Sequence, residues 1–334
     1  MSTSPRPILS ILIPTCNRSQ HLQQLLLRLQ EEACSVSAEQ VEIVVGDNAS
    51  IDKTPQLIAS FCDAVSFARG IIRSTDIGSE RNFQDLAGKA RGAYFWMIGD
   101  DDLPCKGALS ALINLLSSHK PSLLYLPPIW LPDASDPVEV PTVNELKAFV
   151  ESPLQFAAAA NMQVAFISSW VVSVDSILNT SPQCFQSSRY YGTNLIQLTW
   201  ILPLIGDPAS TLRVAGTNLL TAALNYRGDY QVIRTFGIAF PAMLNSLLQS
   251  SPRLRRCILH SASLFAFPSL IFYARSGARG NQVFSFSQLR QVVKLWAGQP
   301  FFWILCLPVL LMPPSLAKFC VAMFRRLRSH PALS

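Results

Sequence analysis

The chain of 334 residues is long enough for one large domain or two ordinary ones. Only 14% of it is charged against 49% hydrophobic, well under the roughly 25% charged share of a soluble domain, which excludes a surface that faces water everywhere. Its net charge of +6 is lopsided, because Asp229 is the last acid, the twelve Lys and Arg of Tyr230–Ser334 have no acidic counterweight, and the preceding residues sum to −6.

In chain order, "ILSILIP" (8–14) reads as a short buried strand ended by proline. "SQHLQQLLLRLQEE" (19–32) is a helix with Leu22, Leu25, Leu26 and Leu29 on one face. A second strand follows at 41–48 ("VEIVVGDN"), and Asp52 then caps a helix over "KTPQLIASFC". "AVSFARGII" (64–72) is a third strand. The helix at 79–90 turns Phe83, Leu86, Ala87 and Ala90 inward. The strand "AYFWMI" (93–98) delivers Gly99, Asp100, Asp101 and Asp102, and a helix at 106–118 and a strand at 122–126 close the unit. This alternation predicts an α/β, doubly wound, mostly parallel sheet that binds ligands at the carboxyl ends of its strands.

Three regions are expected: 1–126 as the alternating unit, 127–249 as a less regular continuation of the same domain, and 250–334 as a basic, apolar, α-rich tail. The stretch 127–150 is proline-rich and reads as a loop leading into a helix. Charge asymmetry points to an anionic partner. Runs such as "SLFAFPSLIFYAR" and "PFFWILCLPVLLMPP" are too greasy for a nucleic-acid surface, so the expected partner is an anionic membrane and no nucleic acid. Pro300–Met323 is interrupted by Pro308, Pro313, Pro314 and Lys318, which favours an interfacial or re-entrant segment over a full span. "FRRLRSH" (324–330) reads as a cytoplasmic basic terminus. The N-terminus lacks the apolar core of a signal peptide, and eight scattered cysteines read as reduced thiols. Together these place the chain on the cytoplasmic face of a membrane, peripheral or monotopic.

Polar residues concentrate where the predicted strands end. Three adjacent carboxylates repel one another unless a cation completes them, and hard oxygen ligands suit Mg²⁺ or Mn²⁺; the alternative is a solvated turn. Asp47 is either a turn cap or an acceptor for a base or ribose. Pro14, Thr15, Asn17 and Arg18 at the first strand end are turn formers or nucleotide contacts. No glycine fingerprint of a dinucleotide or P-loop site is present. His21, His119, His260 and His330 read as surface residues. Asp175 and Asp207 are the only carboxylates between 152 and 228, and so the weak candidates for a general base.

Taken together, "LSILIPTCNR", "VEIVVGDNASIDKTPQLI" and "TDIGSERNFQDLAGKARGAYFWMIGDDDLPCKGAL" resemble the family 2 glycosyltransferases over residues 8–118. The resemblance implies the nucleotide-sugar-binding fold called GT-A, and transfer, of the hexosyl type, from a nucleotide-diphospho-sugar to a glycan or lipid-linked acceptor. It implies nucleotide contacts at Pro14, Thr15, Asn17, Arg18 and Asp47, a ribose contact at Asp100, and a divalent metal on Asp100, Asp101 and Asp102, with Asp102 the first choice. Many relatives have an aspartate where this chain has Gly99, and a Glu-Asp pair further on whose aspartate is the base. This chain has no Glu-Asp; "YYGTNLIQ" (190–197) stands at about that distance. That stretch and "FISSWVV" (166–172) are similar to the abequosyltransferase-like branch, which implies inverting transfer in surface-polysaccharide biosynthesis. The alternative is a non-catalytic, membrane-associated sugar-nucleotide-binding or scaffold protein of the same fold.

Overall fold

The computed structural model describes residues 6–131, 141–223, 231–275, 285–316 and residue 319. Its contacts divide the chain into two units, Met1–Tyr226 and Arg227–Ser334.

In the first unit, strands β1 (Leu9–Thr15), β2 (Val41–Asp47), β3 (Ala68–Ile72) and β4 (Tyr94–Met97) alternate with helices α1 (Ser19–Ala33), α2 (Thr54–Ala64) and α3 (Ser79–Gly88). Then come β5 (Leu103–Pro104), α4 (Ala108–His119), β6 (Leu123–Tyr125), β7 (Ile129–Leu131), β8 (Ala148–Val150) and α5 (Pro153–Ala160). The unit closes with β9 (Trp170–Ser173), α6 (Val174–Thr180), α7 (Leu198–Gly206), β10 (Leu212–Ala215) and β11 (Leu220–Ala223). The main sheet has the order β3-β2-β1-β4-β9-β6-β10-β8, and β5-β11-β7 form a smaller one. The first four strands are parallel; β9 runs antiparallel between β4 and β6, and β8 is an antiparallel edge. The sheet is therefore mixed, with its parallel half where the sequence alternates most regularly.

Period-two alternation assigns the two faces. Leu9, Ile11 and Ile13 of β1 and Tyr94 and Trp96 of β4 join the core made with Leu22, Leu25, Leu26 and Leu29 of α1, Ile58 and Phe61 of α2, and the apolar side of α4. Phe95 points the other way, edge-on to Trp200 of α7 at 5.4 Å. Helices thus cover both faces, as a buried parallel sheet requires.

Several local expectations shift. The helix after Asp52 starts at Thr54, with Lys53 at the cap position. Asp52 still serves it by accepting from Thr54 N at 3.0 Å, and it also accepts from Ser19 N of α1 at 3.0 Å. In α3 the inward set is Glu80, Asn82, Gln84, Leu86 and Ala87, while Phe83 and Ala90 are only half-buried. The polar members are buried because each finds a partner, as Asn82 Nδ2 does by donating to Gly46 O at 3.0 Å. Part of the 127–150 stretch (132–140) lies outside the described residues; β7 and β8 flank it and the helix begins at Pro153.

In the second unit, α8 (Phe240–Leu247), α9 (Pro252–Ser261), α10 (Phe267–Arg275), α11 (Phe286–Trp296) and α12 (Leu307–Leu311) are joined in part by π-helical stretches at Ile233–Ala239, Ala262–Ala266 and Phe302–Cys306. Its core is aromatic: Trp296 stacks on Phe267 at 4.5 Å and donates its indole N–H to Gly237 O at 2.9 Å. That bond ties the 233–239 stretch to α11 within this unit. No helix among the described residues is long and apolar enough to cross a membrane.

Glu32 of α1 tests the packing of the first unit. Its buried carboxylate accepts from Gly107 N at 2.7 Å and Leu109 N at 3.1 Å, satisfying free N–H groups at the start of α4. Glu32→Ala should lower unfolding free energy by about 1–3 kcal/mol, measured by denaturant titration, with Glu32→Gln losing less.

Candidate active site

Parallel register sets the site. Thr15 pairs with Asp47 and Leu12 with Met97, so β1, β2 and β4 end together at one edge of the sheet. Asn17 adopts a left-handed backbone (φ 53°) that asparagine tolerates well. There its N–H donates to Ser50 Oγ at 2.7 Å and its Oδ1 accepts from Ile51 N at 2.8 Å. The fully buried Asp47 accepts from Ser50 N at 3.1 Å and from the Ser50 hydroxyl. Its carboxylate caps this turn. Asn48 extends the lacing, accepting from Ile77 N at 3.0 Å and donating to Asp76.

The aspartate triplet is not a solvated turn. Asp100 and Asp102 are buried, and each carboxylate has its own partner. Asp100 accepts from Thr15 Oγ1 at 2.7 Å and pairs with Arg18 Nη1 at 3.1 Å. Asp101 pairs with Arg18 Nη2 at 2.7 Å, so one guanidinium bridges the two neighbours. Asp102 accepts from Ser168 Oγ at 2.5 Å. That same Oγ accepts from Gly99 N at 2.8 Å, and Ser168 O accepts from the Trp96 indole at 2.7 Å.

Gly99 has a steric reason. A Cβ there would lie 2.9 Å from Asp102 Oδ2, closer than real side chains come, and a tight 3.1 Å from Asp101 Oδ1. Any larger residue at this turn would therefore have to displace the aspartate carboxylates.

Burial dominates the protonation of the cluster. It raises Asp100 to about 6 against the pull of Arg18 and Thr15, and lifts Asp102 well above the ordinary carboxylate range, with Asp101 adding repulsion. Such a group of oxygens, short of positive charge, fits a divalent cation by donor type. Among the described residues no three His, Cys, Asp or Glu side chains converge into a full cage. The protein would then contribute one or two carboxylates, the usual provision for a cation that also binds phosphates. Asp100 and Asp102 are the residues that would hold it, with Asp101 beside them.

Other candidates lie elsewhere. Asp175 follows β9, which is antiparallel to β4, so it sits at the opposite edge of the sheet, bonded to Arg6 at 2.9 Å. Asp207 precedes β10 on that same far edge and accepts from Thr180 Oγ1 at 3.0 Å and Ala209 N at 2.9 Å. Neither joins the aspartates. His21, His119 and His260 are exposed, and His330 lies outside the described residues.

Two residues at the site edge were not singled out from the sequence. Ser168 was visible only as one letter of "FISSWVV". Glu80 of α3 receives the Gly192 N–H and the Thr193 hydroxyl at 3.1 Å, so a carboxylate does meet the "YYGTN" turn, supplied from 112 positions away. The turn is further held by Tyr191 donating to Gln84 at 2.5 Å and by Arg81 over the Tyr191 ring at 5.2 Å.

The fold is shared with solved glycosyltransferase structures of the GT-A type. The model of the family described as Glycosyl transferase family 2 matches residues 10–136. The abequosyltransferase RfbV of Salmonella typhimurium is 34% identical over 114 residues, 34% of this chain and 33% of its own length. The matched segment thus spans about a third of that relative. The solved structure of TarS 1–349 from S. aureus in complex with UDP-GlcNAc is similar with a TM-score of 0.61 at 14% identity, over 89% of this chain and 81% of that one. The mannosyltransferase PcManGT of Pyrobaculum calidifontis, solved with GDP-Man and Mn²⁺, gives 0.52 at 14% identity, over 95% and 88%.

Two outcomes follow from the geometry. Gly99→Ala should push Asp102 off Ser168, so a crystal structure of the variant is expected to show that 2.5 Å bond broken. The folded chain holds the Asp100 proton more tightly than the unfolded chain does, so metal-free stability should fall as pH rises from the ordinary 3.8 toward about 6. Denaturant midpoints across that range should show the slope, and Asp100→Asn should flatten it.

Proposed function

We propose that the protein is an inverting glycosyltransferase that moves a sugar from a nucleotide-diphospho-sugar to a glycan or lipid-linked acceptor in polysaccharide biosynthesis. The observation that carries this reading is the buried aspartate cluster at the shared ends of β1, β2 and β4, inside the segment that the glycosyltransferase family model matches. The relative named as an abequosyltransferase supports the polysaccharide assignment, and the neighbours solved with UDP-GlcNAc and with GDP-Man and Mn²⁺ support a nucleotide-sugar donor and a divalent metal.

In this reading Pro14, Thr15 and Asn17 shape the nucleoside pocket and Asp47 faces the base, its turn to Ser50 presenting the loop. Asp100 contacts the ribose and shares the cation with Asp102. A bound Mg²⁺ or Mn²⁺ supplies charge stabilisation for the departing diphosphate. Arg18 changes partner: its guanidinium, bridging Asp100 and Asp101 in the free chain, turns to the diphosphate, which its planar donors suit. The acceptor hydroxyl attacks the anomeric carbon from the face opposite the leaving group, through a transition state of oxocarbenium character. Deprotonation of that hydroxyl by a positioned base contributes about 10²–10⁴-fold. Glu80, beside the 192–193 turn, is better placed for the acceptor side than Asp175 or Asp207, both on the far edge of the sheet.

A panel of nucleotide-sugars screened for Mn²⁺-dependent thermal shift tests the donor reading; no shift with any of them would overturn it. Asp102→Asn should abolish transfer and metal-dependent nucleotide binding while the melting transition survives. Asp47→Ala should weaken the free nucleoside diphosphate and the full donor by similar factors. Arg18→Ala should strengthen Mn²⁺ binding in the absence of nucleotide and weaken nucleoside diphosphate binding, both read by calorimetry, because it removes a competing cation and a phosphate ligand together.

A further inference from the structure

The segment Pro300–Met312 ("PFFWILCLPVLLM") contains no charged side chain, and its only side-chain hydrogen-bonding groups are the Trp303 indole and the Cys306 thiol. A helical segment in a globular unit buries one face only, so this composition leaves an apolar outer face whichever way it packs. Phe302, Cys306 and Leu310, spaced four apart, are fully buried. Phe302 lies against Trp296, and Cys306 Sγ reaches Ser263 O at 3.4 Å, which docks this segment on the 262–266 stretch. Arg275 donates to Met312 O at 2.6 Å, tying the end of α10 to the end of α12.

The other face is open. Ile304 is 66% exposed and Leu311 59%, with Pro308 exposed between them, and Phe265 on the adjoining stretch is 70% exposed. Trp303 is also exposed, and its indole N–H is satisfied by Ala297 O at 2.9 Å, which leaves an apolar ring with no unmet polar atom. Leu316 and Phe319 continue the exposed apolar run beyond α12. The same helical run that carries Phe265 begins with Arg253, Arg255 and Arg256, of which Arg253 and Arg256 are exposed. No acid occurs anywhere from 230 to 334.

We infer that the face formed by Phe265, Trp303, Ile304 and Leu311 inserts shallowly into an anionic lipid bilayer, with the arginines of α9 engaging the headgroups. Charge selects this occupant. A protein partner or a second copy would have to meet a surface that is positive throughout its basic flank, and a second copy would bring the same charge. An anionic leaflet complements it, and each Lys or Arg near such a surface raises partitioning about fivefold. The buried opposite face keeps the segment folded in the unit, so the attachment is peripheral, as for an interfacial helix. The inference does not depend on what the strand-end site does.

Flotation of the full chain decides it, with vesicles of phosphatidylglycerol and phosphatidylcholine compared with phosphatidylcholine alone. The wild type should float with the anionic vesicles, stay below with the neutral ones, and be partly released by high salt. The variant Phe265→Ser/Ile304→Ser/Leu311→Ser alters only exposed side chains, and it should keep the wild-type melting temperature while losing at least about tenfold in partitioning. Arg253→Gln/Arg256→Gln should lose affinity and salt sensitivity together. Three results would overturn the inference: flotation of the triple variant equal to wild type, equal flotation on neutral vesicles, or a wild-type dimer in light scattering that the triple variant abolishes. A chain ending at residue 319 that floats while the full chain does not would show that the remaining tail covers the face, and would overturn it as well.

Discussion

Three carboxylates at the end of a buried strand are the constraint around which the first unit is arranged. Left bare, they would repel one another in a setting where burial already disfavours charge. Each is answered from a different element: Asp100 by Thr15 at the end of β1, Asp101 by Arg18 at the start of α1, and Asp102 by Ser168 just before β9. Those partners explain why an antiparallel strand is placed between β4 and β6. It enters the sheet from the strand-end side and carries Ser168 to the turn, where the same hydroxyl also receives Gly99 N.

The neighbouring loops obey the same logic. Side chains of Asn17, Asp47 and Asn48 satisfy backbone N–H groups at Ile51, Ser50 and Ile77, so three separate connections behave as one rigid rim. Rigidity of this kind serves a ligand site, since preorganised donors and acceptors need little rearrangement on binding. One electrostatic imbalance is left within it, a single guanidinium shared by two carboxylates next to a third. A divalent cation is the kind of partner that would offset that excess of negative charge.

The second unit answers a different constraint. Its core is stacked aromatic rings, and the segment after α11 has nothing polar to offer solvent on its outer side. In the first unit the buried carboxylates Glu32, Asp47, Glu80, Asp100 and Asp102 have named partners; in the second, no acid follows Asp229 and the unbalanced quantity is exposed apolar surface. The two units thus differ in chemistry as sharply as their charges suggest.

By itself, the sequence determined the order of strands and helices through residue 126 except for the two-residue strand β5, because hydrophobic periodicity is local and strong there. It likewise located the aspartates at a strand end and the charge break near 230. Only the tertiary structure decided which polar residues are satisfied and by what. Glu80 meets a turn more than a hundred residues away, Ser168 meets Asp102 across the sheet, Asp175 falls on the far edge because β9 reverses direction, and Asp207 falls there because it precedes β10, which runs parallel to β6. Periodicity also misread α3, where buried polar residues outnumber apolar ones. The physical reason is common to all of these. A hydrogen bond between distant residues leaves no period in either segment, and strand direction inside a mixed sheet is set by pairing partners that no local pattern encodes.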